Sequence, residues 1–228
     1  MPPSAPRASI RGMVDEKSSG KIVWVDCEMT GLDPATDALI EVAVVVTDAN
    51  LNLLDGGMDI IISPPADKLA NMSDFVRDMH TKSGLLDELP SGISLADAQT
   101  AILEYVKIWV PDKDDAPLAG NSVGVDKAFL QANMPEFTNW LHYRIIDVST
   151  VKELAKRWYD RVWECKPEKA VGHRALQDIL ESIDELRYYR ATMFVPSPGP
   201  SSDDCKAIAA KIELTTVAGA SDLLNPVD

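Results

Sequence analysis

Two acids, Asp26 and Glu28, close a short β-rich run, Ile22-Val23-Trp24-Val25. Alternate residues of a strand share a face, so the two carboxylates stand side by side at its carboxyl end. Neighbouring anions repel unless a cation lies between them, and placing both at the end of so apolar a run is costly without a metal. An isolated D-x-E is more often an exposed acidic pair, and the IVWV context is what favours a metal here. A third acid, Asp126, follows the turn-rich Gly120-Asn121-Ser122-Val123-Gly124 into a helix, where a carboxylate also has the ordinary use of facing the helix dipole. His173 precedes the last long helical pattern, and Asp178 lies about 140° further round the helical wheel. The two converge only if His173 sits on the loop leading into that helix, which Gly172 makes feasible. His80, in the polar stretch Met79 to Gly84, and His142, beside Tyr143 and Arg144, read equally well as surface residues.

The elements that must carry these groups change period in an orderly way. Ile22 to Val25, Leu39 to Thr47 and Leu51 to Ser63 read as strands, with Asp48-Ala49-Asn50 as a hairpin turn between the last two. Leu95, Ala98, Ile102, Tyr105 and Trp109 recur at helical spacing, Pro117 to Gly120 is a brief apolar strand, and Val125 to Asn133 suits a second helix. Arg144 to Ile146 is a further strand. Thr150-x-x-Glu153 is a capping-box pattern ahead of Leu154, Ala155 and Trp158. Leu176, Ile179, Ile183 and Leu186 mark the last helix. The order β-β-β-α-β-α-β-α-α predicts an α/β fold, a mixed sheet flanked by helices, without internal repeats. Residues 1–20 read as a flexible leader, 21–195 as the folded domain, and 196–228 as a tail in which only Asp204 to Leu214 could form a short helix.

The chain of 228 residues is 46% hydrophobic, enough for one enzyme-sized domain with a large core. Its 22 basic and 36 acidic residues give a formal charge of −14, and removing the two ends leaves −12 on residues 21 to 190. Such a surface disfavours tracking along long nucleic acid or docking on an anionic membrane. Cys27, Cys165 and Cys205 have no disulfide or zinc spacing, which suits a reducing, cytoplasmic setting. Apolar runs such as Val42 to Val46 are far too short to span a bilayer, and the first residues lack an apolar signal core, so a soluble protein that is not exported is expected.

Taken together, Val25-Asp26-Cys27-Glu28-Met29-Thr30-Gly31-Leu32-Asp33-Pro34, Gly120-Asn121-Ser122-x-Gly124-x-Asp126, His142-Tyr143-Arg144 with Asp147-Val148-Ser149-Thr150, and His173-x4-Asp178 are far more specific than any part. Over Lys21 to Arg190 the chain resembles the DEDDh class of 3′-to-5′ exonucleases, most closely the oligoribonuclease family. The resemblance implies an RNase H-like fold and a homodimer that degrades very short RNA, dinucleotides above all, to 5′-mononucleotides. It implies that Asp26, Glu28, Asp126 and Asp178 hold two Mg²⁺ or Mn²⁺ ions roughly 3.5–4 Å apart, with His173 as general base. It further implies that Leu32 and Phe75 flank the terminal bases, Phe75 standing where the family usually has Trp. Ser122, His80, Arg144 and Ser149 look like contacts to the terminal base and phosphate, with Tyr143, Arg144 and Ser149 reaching across the dimer. Read from the residues alone, Phe75 could equally pack in the core, and Arg144 could be a surface ion-pair partner. Rival readings are a DEDDh exonuclease for longer single-stranded DNA, disfavoured by the −12 charge, a nucleotide sensor without catalysis, and an α/β module with chance acids.

Overall fold

The computed structural model describes residues 20–168 and 174–223. The chain divides into two compact units, Met1–Tyr189 and Arg190–Asp228. The first unit opens with three strands, β1 (Ile22–Met29), β2 (Leu39–Thr47) and β3 (Met58–Ile61). Short helices α1 (Ala66–Ala70), α2 (Asp74–Lys82) and α3 (Leu85–Glu88) follow, then α4 (Leu95–Trp109) and β4 (Pro117–Gly120). The chain continues through α5 (Gly124–Asn133), α6 (Pro135–Thr138), β5 (His142–Asp147), α7 (Val148–Trp158), α8 (Asp160–Glu164) and α9 (Ala175–Met193). In the second unit α10 runs Ser202–Leu223, longer than the stretch expected from Asp204 to Leu214. Its start is fixed by Ser201, whose hydroxyl accepts the Asp204 N–H at 3.2 Å and bonds the Asp204 carboxylate at 2.6 Å.

The sheet has the order β3-β2-β1-β4-β5. β1 pairs antiparallel with β2 from Ile22↔Thr47 to Met29↔Leu39, and parallel with β4 through Val23↔Leu118 and Trp24↔Ala119. β5 is parallel to β4 and forms one edge. Three strands, β1, β4 and β5, therefore point the same way, and their carboxyl ends line one rim, the place where open α/β sheets set their ligands. The valine-rich β2 is buried at every position, as a strand covered on both faces must be. Val23, Val25 and Cys27 of β1 and Val42, Val44 and Val46 of β2 face a core shared with Ala98, Ile102 and Val106 of α4 and Phe129 and Leu130 of α5. Period 2 then sends Trp24, Asp26 and Glu28 to the opposite face. Gly120 is obligatory at the end of β4, because a Cβ there would lie 2.7 Å from the Val25 carbonyl oxygen of the neighbouring strand.

Three expectations are corrected. The third strand covers only Met58–Ile61 rather than Leu51 to Ser63. The Asp48 carboxylate gathers the N–H groups of Asn50 and Asn52 into a turn, Leu51 and Gly57 take positive φ, and only Leu53 bridges back to Thr47. Helix α7 begins at Val148 instead of Thr150, because Asp147 is the cap and accepts the Ser149 N–H at 2.9 Å. The segment between β3 and α4, to which the sequence pattern assigns no element, holds α1, α2, α3 and a 3₁₀ turn, Leu89–Ser91, with Ser73 capping α2. Among the described residues no helix is long and apolar enough to cross a membrane.

Candidate active site

Asp26 and Glu28 leave the same face of β1, and α9 brings Asp178 onto them from above that face. One carboxylate oxygen from each lies within 4.8 Å of the others. Glu28 is 8% exposed, and its carboxyl is pushed up to about 8, first by burial and then by the negative charges of Glu41, Asp178 and Asp126. Three carboxylates converge where each disfavours the ionisation of the next. An all-oxygen donor set of this kind fits a hard divalent cation, whose charge would remove that penalty.

Asp126 stands on the first turn of α5, 6% exposed, and is not one of the three converging acids. Its Oδ1 accepts the Cys27 N–H at 3.0 Å, so it is tied to the backbone of β1 between Asp26 and Glu28. Burial pushes its carboxyl up to about 6 against the pull of that hydrogen bond. His173 lies outside the described residues.

Raised carboxyl pKa values have a consequence for stability. A group held above its unfolded value favours the protonated form in the folded chain. Its stabilisation is complete below the ordinary carboxylate range and is lost as pH climbs through the folded pKa. For Glu28 that window runs from its ordinary 4.5 to about 8. In EDTA the melting temperature is expected to fall by roughly 5–10 °C across it, and Glu28→Gln should flatten the fall. Scanning calorimetry checks this, with saturating Mn²⁺ reversing the trend in wild type; parallel pH slopes for the two proteins would contradict it.

The chain also leaves large apolar groups in solvent. Leu32 is 82% exposed and Phe75, on α2, is 78% exposed, so Phe75 is not core packing. The Leu32 loop is held from within. The Asp37 carboxylate accepts from the Thr30 hydroxyl at 3.1 Å and the Asp33 N–H at 3.0 Å, while Thr30 Oγ1 accepts the Ala38 N–H at 3.0 Å. A Cβ on Gly31 would overlap that carboxylate, which explains glycine beside Leu32. His80 is fully buried rather than on the surface. Its Nε2 lies 2.9 Å from the Met29 carbonyl oxygen and its Nδ1 3.8 Å from Glu28 Oε2, so it backs the second acid.

At the ends of β4 and β5, Asp147 organises the two serines. Its Oδ1 accepts the N–H groups of Ser122 and Ser149, each at 2.9 Å, and the two hydroxyls meet at 3.0 Å. Ser122 takes φ +54°, a left-handed conformation unusual for a residue with a Cβ. Asn121 locks the pair further, accepting the Ser149 hydroxyl at 3.1 Å and donating to Ser182 and Glu185 of α9. Tyr143 and Arg144 lie exposed on edge strand β5, with Arg144 Nε donating to the Tyr143 hydroxyl at 3.1 Å. Sequence reading missed Asp147, Asn121 and Glu185 as supports; the one local signal was Asp147 preceding the α7 pattern.

Residues 23–186 match the family described as Exonuclease. An oligoribonuclease of Leifsonia xyli subsp. xyli is 55% identical over 195 residues, covering 86% of this chain and 94% of the relative. That of Streptomyces avermitilis is 57% identical over 191 residues, covering 84% and 96%. Among solved structures, an exonuclease I whose structure suggests how processivity is achieved superposes with a TM-score of 0.62 at 15% identity, over 77% of this chain and 42% of that one. E. coli exonuclease I in complex with a dT13 oligonucleotide gives 0.60 at 15% identity, over 75% and 41%. This chain spans about two fifths of exonuclease I, and the likeness establishes the RNase H-like fold of a mixed five-stranded sheet flanked by helices. More than half of the aligned residues are shared along nearly the whole length of the oligoribonucleases, and an acidic cluster stands at the rim of the parallel strands: the chain belongs to the oligoribonuclease family and is a 3′-to-5′ exoribonuclease.

Proposed function

We propose that the enzyme acts on very short RNA, fastest on dinucleotides, releasing 5′-mononucleotides with the help of two divalent ions. The observation that carries this reading is the pairing of a compact acidic site with two exposed apolar side chains, Leu32 and Phe75, in a domain of strongly negative charge. Two bases need two stacking surfaces, and one bridging phosphate needs one cation site. Every further phosphate would meet a surface poor in Lys and Arg.

In this reading Asp26, Glu28, Asp126 and Asp178 hold Mg²⁺ or Mn²⁺, ions suited to hard oxygen donors. When bound, such ions supply Lewis-acid activation of a water and offset the charge of the scissile phosphodiester. His173 accepts the proton from that water on a neutral imidazole nitrogen. Leu32 and Phe75 grip the bases. Ser122, His80, Arg144 and Ser149 serve the terminal base and phosphate, Ser149 from a second copy of the chain, with buried His80 acting through Glu28 and the Met29 carbonyl. Tyr143 and Arg144 close the 5′ end from a second copy of the chain. Exposed Tyr143 and Ile145 on an open strand edge, with Trp158 exposed on α7, support a homodimer at that face. A cytoplasmic setting follows from the same substrate class and the absence of disulfide spacing.

Pre-steady-state rates on 5′-phosphorylated RNAs of two and seven nucleotides test the reading. The 2-mer is expected to be cleaved roughly tenfold faster or more, and Arg144→Ala should narrow that gap by slowing the 2-mer selectively. Light scattering on the same samples reads the assembly. Equal wild-type rates on both lengths would point instead to a general exonuclease for longer strands.

A further inference from the structure

Arg174 lies immediately before α9, the helix that delivers Asp178, and it is the centre of an ionic cluster that adjoins the acidic site. Its guanidinium makes a bidentate pair with Glu88 of α3, at 2.8 and 3.1 Å, and donates from Nε to Glu41 Oε1 of β2 at 2.9 Å, with Nη2 also 2.9 Å from that oxygen. Glu41 is fully buried, and its other oxygen accepts the Ala175 N–H at 3.1 Å, so one carboxylate both caps α9 and binds the arginine that introduces it. The Arg174 carbonyl oxygen in turn accepts the Asp178 N–H at 3.0 Å. Glu41 is also the direct cross-strand partner of Glu28. Two carboxylates at directly opposed positions of adjacent strands repel. Arg174 supplies the positive charge beside that pair, and its three-way attachment joins the strand bearing Glu28's neighbour, a helix from the β3–α4 segment, and the first turn of α9.

We propose that Arg174, with Glu41 and Glu88, is a positioning residue for the metal site: it sets where α9 starts, and thereby where Asp178 stands relative to Asp26 and Glu28. This deepens the reading above and rests on Asp26, Glu28 and Asp178 binding a divalent ion. Arg174 touches no reacting atom; it acts through the helix that follows it. A fork geometry is needed because two carboxylates on different elements must be held at once, which a lysine ammonium can do only partly.

The test uses the full chain, with Arg174→Met, Arg174→Lys and Glu88→Gln. Mn²⁺ binding is followed by electron paramagnetic resonance without substrate, and kcat and KM on a 5′-phosphorylated RNA dinucleotide are measured well below each melting temperature. The expected result for Arg174→Met is a roughly 10- to 100-fold loss in Mn²⁺ affinity and in kcat with KM changed little, with Arg174→Lys intermediate. Glu88 is part-exposed, so Glu88→Gln is expected to fold and to lose roughly threefold to tenfold in both quantities. If Arg174→Met does not fold, Glu88→Gln decides alone. Variants that melt lower yet keep wild-type Mn²⁺ affinity and kcat would overturn the positioning role and leave a purely structural ion cluster. Failure of the underlying reading looks different, since the wild-type protein itself would then bind no Mn²⁺ at this site.

Discussion

Asp26→Asn, Glu28→Gln and Asp178→Asn are each expected to leave less than about a tenth of the wild-type turnover at saturating Mg²⁺, since losing a charged ligand removes several kcal/mol of transition-state stabilisation. The fold should survive. All three carboxyls already stand within 4.8 Å of one another, so the neutral amides remove repulsion that the ion-free protein has to tolerate. Circular dichroism should therefore be unchanged and the ion-free melting temperature equal or higher, opposite in direction to the activity. Asp126→Asn belongs with them for activity, although Asp126 stands apart and holds the Cys27 N–H, a bond that an amide oxygen can still accept. A variant with near wild-type rate would take that residue out of the ligand set; one that unfolds would show that its role was to hold the chain.

His173→Ala is expected to slow cleavage by roughly 10² to 10⁴-fold while Mn²⁺ affinity stays within about threefold of wild type, as befits a general base outside the coordination shell. The pH profile provides a second readout. At saturating metal the wild-type rate should fall as pH drops through the ordinary histidine range near 6.5, because a protonated imidazole accepts nothing, and this limb should vanish in the variant. Calorimetric titration of Mn²⁺ separates the outcomes: equal losses of affinity and rate would make His173 a ligand.

The residues showed how far sequence reading reaches. The continuous apolar runs of β1 and β2 and the helical spacing of Leu95 to Trp109 survive in the structure because each pattern reports burial that the element itself must satisfy. Asp26 and Glu28 were legible for the same reason: period 2 alone puts them on one face. What escaped depended on partners distant in the chain. His80 bonds the Met29 carbonyl from 51 residues away, and nothing in Met79 to Gly84 announces it. Arg174 meets Glu41 and Glu88 across 133 and 86 residues. Leu51 to Leu54 is apolar enough for a strand, but the Asp48 turn and the positive φ of Leu51 and Gly57 confine the third strand to Met58–Ile61. Short helices such as α1 have no buried residue of their own and so leave little periodic trace.

β1 is the middle strand of five, bonded on one side to β2 along its whole length and on the other to β4. The amide protons that it pairs with β2 and β4 can therefore meet solvent only when the sheet itself opens, and partial fluctuations that free β5 or β3 at the margins leave Asp26 and Glu28 in place. Folded molecules and molecules with both these acids aligned are then nearly the same population. Denaturant should extinguish activity together with the last protected amides of β1, not ahead of them, and a mutation at the sheet margin can loosen how RNA is received without loosening the centre that cuts it.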